Sequence, residues 1–109
     1  MAVESVNEIF EKHIPARLEK KPELIDQINA KYKFEVTGDA GGIWVVDLTE
    51  PGGKVVSGDA EANCNITITT EDFLDIINGK LNGQMAFMTG KLKVAGDMAL
   101  AMKLGALLG

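Results

Sequence analysis

The sequence predicts an α/β fold of the α+β type, a five-stranded, mainly antiparallel sheet with helices covering one face. Short stretches between Tyr32 and Ala95 alternate apolar and polar side chains with a period of two, which describes strands buried on one side only. The segments before Tyr32 and after Thr70 instead repeat apolar residues every three or four positions, as one helix face does. With 109 residues, 46% hydrophobic and 25% charged, the chain fits one domain over 1–109. Folding at that size removes roughly 65% of the unfolded chain's surface from water.

Ser5-Val6-Asn7-Glu8 has capping-box spacing, and Val6, Ile9, Phe10 and Ile14 then line one face of a helix that Pro15 ends or kinks. Pro22 sits where a first helical position would be, ahead of Ile25 and Ile28 in a short second helix. Tyr32, Phe34 and Val36 alternate with Lys33, Glu35 and Thr37 in the first strand, and Gly38 to Gly42 makes the turn. Ile43 to Leu48 is the second strand, with Trp44, Val46 and Leu48 on one face and Asp47 on the other. Pro51-Gly52-Gly53 leads to a third strand around Val55-Val56, completing an antiparallel meander.

After a loop at Gly58 to Ala62, the fourth strand points Cys64, Ile66 and Ile68 one way and Asn63, Asn65, Thr67 and Thr69 the other. A sheet with one apolar face needs a cover. Thr70 is the expected cap of a helix through Phe73, Leu74, Ile76 and Ile77 to Gly79, with Glu71 and Asp72 at its positive end. A short helical stretch from Gln84 to Thr89 stops at Gly90, and Lys91 to Ala95 is a fifth strand with Leu92 and Val94 inward. Asp97 caps the final helix, Met98 to Leu108, in which Lys103 is the one charged side chain. Such a helix is either buried on several sides or faces a ligand.

Composition excludes several classes of function. Aromatic residues are only 6% and the net charge is −5, so base stacking and phosphate binding are both disfavoured and nucleic acid is not an expected partner. No lysine run suggests recruitment to anionic lipid. Cys64 alone makes no internal disulfide, and a single His13 with no second His or Cys supplies no metal cluster, so neither metal nor cofactor is expected. The acidic start lacks a secretory pattern and no segment reaches the roughly 18 apolar residues of a membrane span, which points to the cytoplasm.

Neither a nucleophile elbow nor a phosphate-cradling glycine loop is present; Gly38-Asp39-Ala40-Gly41-Gly42 has the wrong spacing and joins two strands. Glu71 and Asp72 diverge by about 100° on their helix and are read as helix-terminal acids rather than an acid/base pair. Asn65-Ile66-Thr67 spells a glycosylation sequon but lies in a strand. No catalytic residue is assigned. Met85, Met88, Met98 and Met102 all fall in the last quarter of the chain, as suits an adaptable apolar cavity or, alternatively, gap-filling in a dry core.

The run Gly79-Lys80-Leu81-Asn82-Gly83-Gln84-Met85-Ala86-Phe87-Met88-Thr89-Gly90-Lys91-Leu92-Lys93-Val94-Ala95-Gly96-Asp97-Met98-Ala99-Leu100-Ala101-Met102-Lys103-Leu104 closely resembles the sterol carrier protein 2-like family of nonspecific lipid-transfer domains. Trp44-Val45-Val46-Asp47-Leu48 and Asp72-Phe73 extend the resemblance over essentially the whole chain. Gly83 stands where the family commonly has Pro, and the final Leu107-Leu108-Gly109 is not the targeting tripeptide of peroxisomal members.

The resemblance implies an apolar tunnel that holds fatty acids, fatty acyl-CoA, sterols or similar lipids without catalysis. Its expected lining is Trp44, Phe87, Met88, Met98, Met102 and Leu104, with Gln84 at a polar mouth. The competing reading is an interaction module that docks a lipid-metabolic enzyme or self-associates through the apolar last helix.

Overall fold

The computed structural model describes residues 4–38, 40–51 and 53–108, with Ala106 described by its backbone alone. Asp39 in the Gly38 to Gly42 turn, Gly52 in the Pro51-Gly52-Gly53 turn, the first three residues and Gly109 lie outside the described residues. The chain begins with helix α1 (Val6–Glu8), a π-helical stretch (Ile9–His13) and helix α2 (Ile14–Lys20), which follow one another without a break. Helix α3 (Glu23–Ile28) precedes strands β1 (Lys31–Thr37), β2 (Gly42–Asp47), β3 (Lys54–Ser57) and β4 (Cys64–Thr69). Helices α4 (Thr70–Ile77) and α5 (Gly83–Met88), strand β5 (Lys93–Gly96) and helix α6 (Met98–Leu108) complete the order.

The five strands run β3-β2-β1-β4-β5 across the sheet. The meander is as expected, with β1 and β2 antiparallel at Phe34↔Trp44 and β2 and β3 antiparallel at Val46↔Val55. Strand β4, however, lies parallel to β1, at Phe34↔Ile66, so the sheet is mixed. These registers align Tyr32, Phe34, Val36, Trp44, Val46, Cys64, Ile66 and Ile68 on one face, all buried. The other face is not wholly wet. Val45 is buried there, beside Lys33 and Val56 in the register.

Helices cover the apolar face with Val6, Ile9, Phe10, Ile14, Leu18, Ile25 and Phe73 from α1, the π-helical stretch, α2, α3 and α4, and Leu100, Leu104 and Leu107 from α6. Ser5 caps α1 by accepting the Glu8 N–H at 3.2 Å, but the Glu8 carboxylate turns back to the Glu4 N–H rather than closing the capping box. Pro15 does not end the first helix. The bond from Ile14 N–H to the Ile9 carbonyl widens the preceding turn by one residue, and helix resumes past the proline.

The cap of α4 is Thr69, not Thr70: Thr69 Oγ1 accepts the Asp72 N–H at 3.2 Å, while Thr70 Oγ1 donates to the Thr37 carbonyl. The α4 helix thus begins one residue earlier than a cap at Thr70 would allow, directly at the end of β4. Asp97 caps α6 as expected, accepting the Ala99 N–H at 2.9 Å. Gly96 at φ +101° turns the chain into that cap, and a Cβ there would come within 2.5 Å of the Asn63 carbonyl oxygen.

Candidate functional site

A concave site of about 450 Å³ lies between the π-helical stretch with helix α2 on one side and the β2–β3 hairpin on the other. Phe10, Glu11, Pro15 and Leu18 form its helical wall; Trp44, Gly53, Val55 and Ser57 form the hairpin wall. Phe10 stacks on Trp44 with ring centroids 4.6 Å apart and planes 9° from parallel, and meets the Phe34 ring edge-on at 5.3 Å. Phe34 in turn stacks on Phe73 at 5.7 Å. Rings held by neighbours on several sides make a rigid apolar surface, so this wall exists before any ligand arrives.

Local sequence shapes the other surfaces. The π-helical stretch shifts the helix phase just before Pro15, and four-residue spacing then sets Phe10, Ile14 and Leu18 inward. Pro15 carries no amide hydrogen, so the helical ladder lacks the α-helical donor to the Glu11 carbonyl where the two registers meet. Gly53, at φ +74°, lets the hairpin backbone approach closely. A Cβ on it would stand 3.0 Å from Leu18 Cδ1.

A second concavity, on the outer sheet face, is lined by Lys33, Asp59, Ala60, Glu61, Ala62 and Asn65. Lys33 Nζ donates to Asp59 Oδ1 at 3.0 Å across it, and Asn65 Oδ1 is buried with no hydrogen-bond partner. Its lining is polar and more open, without an aromatic wall. Among the described residues no group of His, Cys, Asp and Glu is placed to hold a metal ion, and no helix is long and apolar enough to cross a membrane.

Of the residues anticipated from sequence, Trp44 alone lines the first cleft. Leu104 is buried among core residues of α6. The others do not close around a cavity: Gln84 is exposed on α5, and Phe87, Met88, Met98 and Met102 are exposed at the surface, Met102 to 88%. Asn82 caps α5, its side-chain oxygen accepting the N–H groups of Gln84 and Met85. Phe10, Glu11, Pro15, Leu18, Gly53, Val55 and Ser57 were not anticipated as lining. A proline one turn beyond Glu11 inside an apolar helical pattern was the available signal.

The outward turn of the methionines follows from how α6 is held. The Tyr32 hydroxyl donates to the Leu100 carbonyl, His13 Nε2–H to the Leu108 carbonyl at 2.9 Å, and Lys103 Nζ to the Gln27 carbonyl at 3.2 Å. Burial pushes the Tyr32 phenol well above its ordinary pKa, with Cys64 and Asp97 adding to the shift, so it remains a neutral donor. These ties, with Leu100, Leu104, Leu107 and Leu108 inward, leave Met98 and Met102 on the opposite side.

The description SCP-2 sterol transfer family matches residues 7–109. Sterol carrier protein 2 of Rattus norvegicus is 42% identical over 106 residues, covering 93% of this chain and 19% of that protein. Hydroxysteroid dehydrogenase-like protein 2 of the same species is 44% identical over 84 residues, 75% of this chain and 16% of that protein. The chain thus spans between 16% and 21% of the length of the curated relatives it matches.

Among solved structures, Sterol Carrier Protein-2 of Aedes aegypti in complex with palmitate superposes with a TM-score of 0.77 at 30% identity, covering 100% of this chain and 97% of that one. The sterol carrier protein domain 2 of Helicoverpa armigera gives 0.74 at 36% identity, covering 99% and 91%. The matched sequence and the mixed five-stranded sheet with its helices agree: this chain belongs to the SCP-2 sterol transfer family.

Proposed function

We propose that this protein is a non-catalytic lipid carrier that takes a single-chain lipid or sterol into the cleft between the π-helical stretch with α2 and the β2–β3 hairpin. The aromatic-walled cleft of about 450 Å³ carries the reading, because sites for small apolar ligands span about 300 to 1,000 Å³. The palmitate complex of the Aedes aegypti relative supports the ligand class. Each ligand CH₂ removed from water contributes about 0.8 kcal/mol, so a long chain binds without a specific polar contact and chemically different lipids share one site. Enzymatic activities named for longer relatives are not part of the proposal.

A second reading, docking onto a partner protein or a second copy, is favoured by the exposure of Met85, Phe87, Met88, Met98 and Met102 on α5 and α6. Titration with a fluorescent fatty-acyl analogue, followed through Trp44 emission, separates the two. The carrier reading expects saturation at one ligand per chain, an affinity for an uncharged lipid little changed by moderate salt, and loss of binding when Leu18→Trp fills the cleft. A folded protein with no saturable binding overturns it.

A further inference from the structure

We infer that the protein docks on anionic lipid bilayers through the outer sides of α5 and α6, with the lysines beside those helices supplying the attraction. Charge is divided unevenly along the chain. Residues 79–109 carry four lysines, Lys80, Lys91, Lys93 and Lys103, against one acid, Asp97, whereas residues 1–78 carry seven basic and fifteen acidic side chains. The four lysines form no run in the sequence, but all are exposed. The same segment presents apolar side chains to the outside: Met85, Phe87 and Met88 on α5, and Met98 and Met102 on α6. The two α6 methionines are four residues apart and so share one face, which exposed Ala99 and Gly105 flank without a charge. Leu100, Leu104 and Leu107 seat the opposite side of α6 in the core, so the methionine face is presented without rearrangement. Strand β5 joins the two helices at the edge of the sheet. The Lys91 and Leu92 N–H groups both donate to the Ala86 carbonyl of α5, at 2.8 and 3.0 Å, and Gly96 turns β5 into α6.

A bilayer with anionic head groups meets both halves of this surface. Methionine is flexible enough to fit between acyl chains of irregular shape, and a lysine keeps its ammonium among the head groups while its methylenes follow the apolar side chains inward. Neither signal anchors a protein alone; together they do. The acidic remainder of the chain is repelled by the same surface, which turns the molecule so that α5 and α6 face it. The inference concerns the outside of the molecule and holds whichever ligand the cleft takes.

The test is cosedimentation with vesicles of phosphatidylcholine, alone or with about 30% phosphatidylserine, at about 0.1 M salt. Docked protein enters the pellet, whereas a carrier that only extracts lipid stays in the supernatant. Wild type is expected to pellet with the serine-containing vesicles, and far less with neutral ones or in about 0.5 M salt. A lysine near such a surface strengthens binding about fivefold, so Lys80→Gln, Lys91→Gln and Lys93→Gln combined should weaken it about a hundredfold. Met88→Gln with Met102→Gln should weaken it by about tenfold or more. Lys20→Gln with Lys21→Gln, at the end of α2, should leave it unchanged. All these side chains are exposed, so unchanged melting temperatures are expected and establish that the variants fold. The inference is overturned if folded wild type ignores both vesicles, if the triple lysine variant binds as wild type does, or if the Lys20 and Lys21 variant loses as much as the triple one. A dimer in sedimentation velocity that the methionine variant dissociates, with no vesicle binding, would overturn it in favour of a second copy on this face.

Discussion

The contrast between two α6 side chains two positions apart in sequence, Met102 and Leu104, tests how that helix is seated. Leu104 is 3% exposed and belongs to the core cluster, whereas Met102 is 88% exposed. Truncating Leu104 to Ala removes buried methyl groups and leaves a cavity, a change that costs about 3 kcal/mol. With an unfolding entropy of about 2.1 cal/mol/K per residue, that loss lowers Tm by about 13 °C. At a urea m-value near 1.5 kcal/mol/M the midpoint falls by about 2 M. Met102→Ala removes a side chain already in water and should change stability by less than about 0.5 kcal/mol. Both substitutions introduce alanine into the same helix, so propensity favours each variant slightly and does not explain the gap. Urea titrations followed by circular dichroism measure both. A Met102→Ala loss equal to that of Leu104→Ala would refute the placement of α6, because its methionine face would then have to be packed inside.

Tyr32→Phe deletes the hydroxyl that reaches the Leu100 carbonyl without opening a cavity, and the urea midpoint should fall by an amount equivalent to about 1 kcal/mol. His13→Ala should speed hydrogen exchange in the last turn of α6 more than in its first, since the lost bond holds the Leu108 carbonyl. The Cys64 thiol is fully buried and pushed above its ordinary pKa by burial and then by Asp97, so a thiol reagent should label it only under denaturing conditions. At Asp47, burial pushes the carboxyl up, but hydrogen bonds from the Thr49 hydroxyl and N–H with the charges of Lys31 and Lys54 outweigh it, leaving the group below its usual range. A depressed native pKa stabilises above the unfolded value and is lost as pH falls through the native one. Wild type should therefore be more stable than Asp47→Asn near pH 6, with the gap closing by about pH 2 in thermal melts.

Much of the fold was legible because alternation reports directly on which side chains a strand buries. Tyr32, Phe34 and Val36, then Trp44 and Val46, then Cys64, Ile66 and Ile68 are inward, as their period of two requires. Alternation is silent about the neighbour, however. A strand with one apolar face satisfies the same pattern beside a parallel or an antiparallel partner, and the parallel seating of β4 on β1 was not readable from it. The capping threonine of α4 was displaced by one residue because Thr69 and Thr70 are chemically equivalent caps, and only the path of the chain leaving β4 chooses between them.

The candidate site was less legible, for a different physical reason. In α6 nearly every side chain is apolar, so hydrophobicity alone does not say which side turns inward; Tyr32, His13 and Gln27, all distant in sequence, decide it through bonds to that helix. Phe10 and Val55 read as ordinary apolar positions of a helix face and a strand, and Phe10, like the neighbouring Leu18, is buried. What makes them a wall is that the two apolar surfaces do not close. A periodic pattern measures how apolar a face is, whereas a gap between faces depends on backbone path, set here by the π-helical turn before Pro15 and by the close approach of Gly53 to Leu18. Trp44 stands on that wall because its alternation position faces inward, opposite Phe34 in the register and stacked on the Phe10 ring.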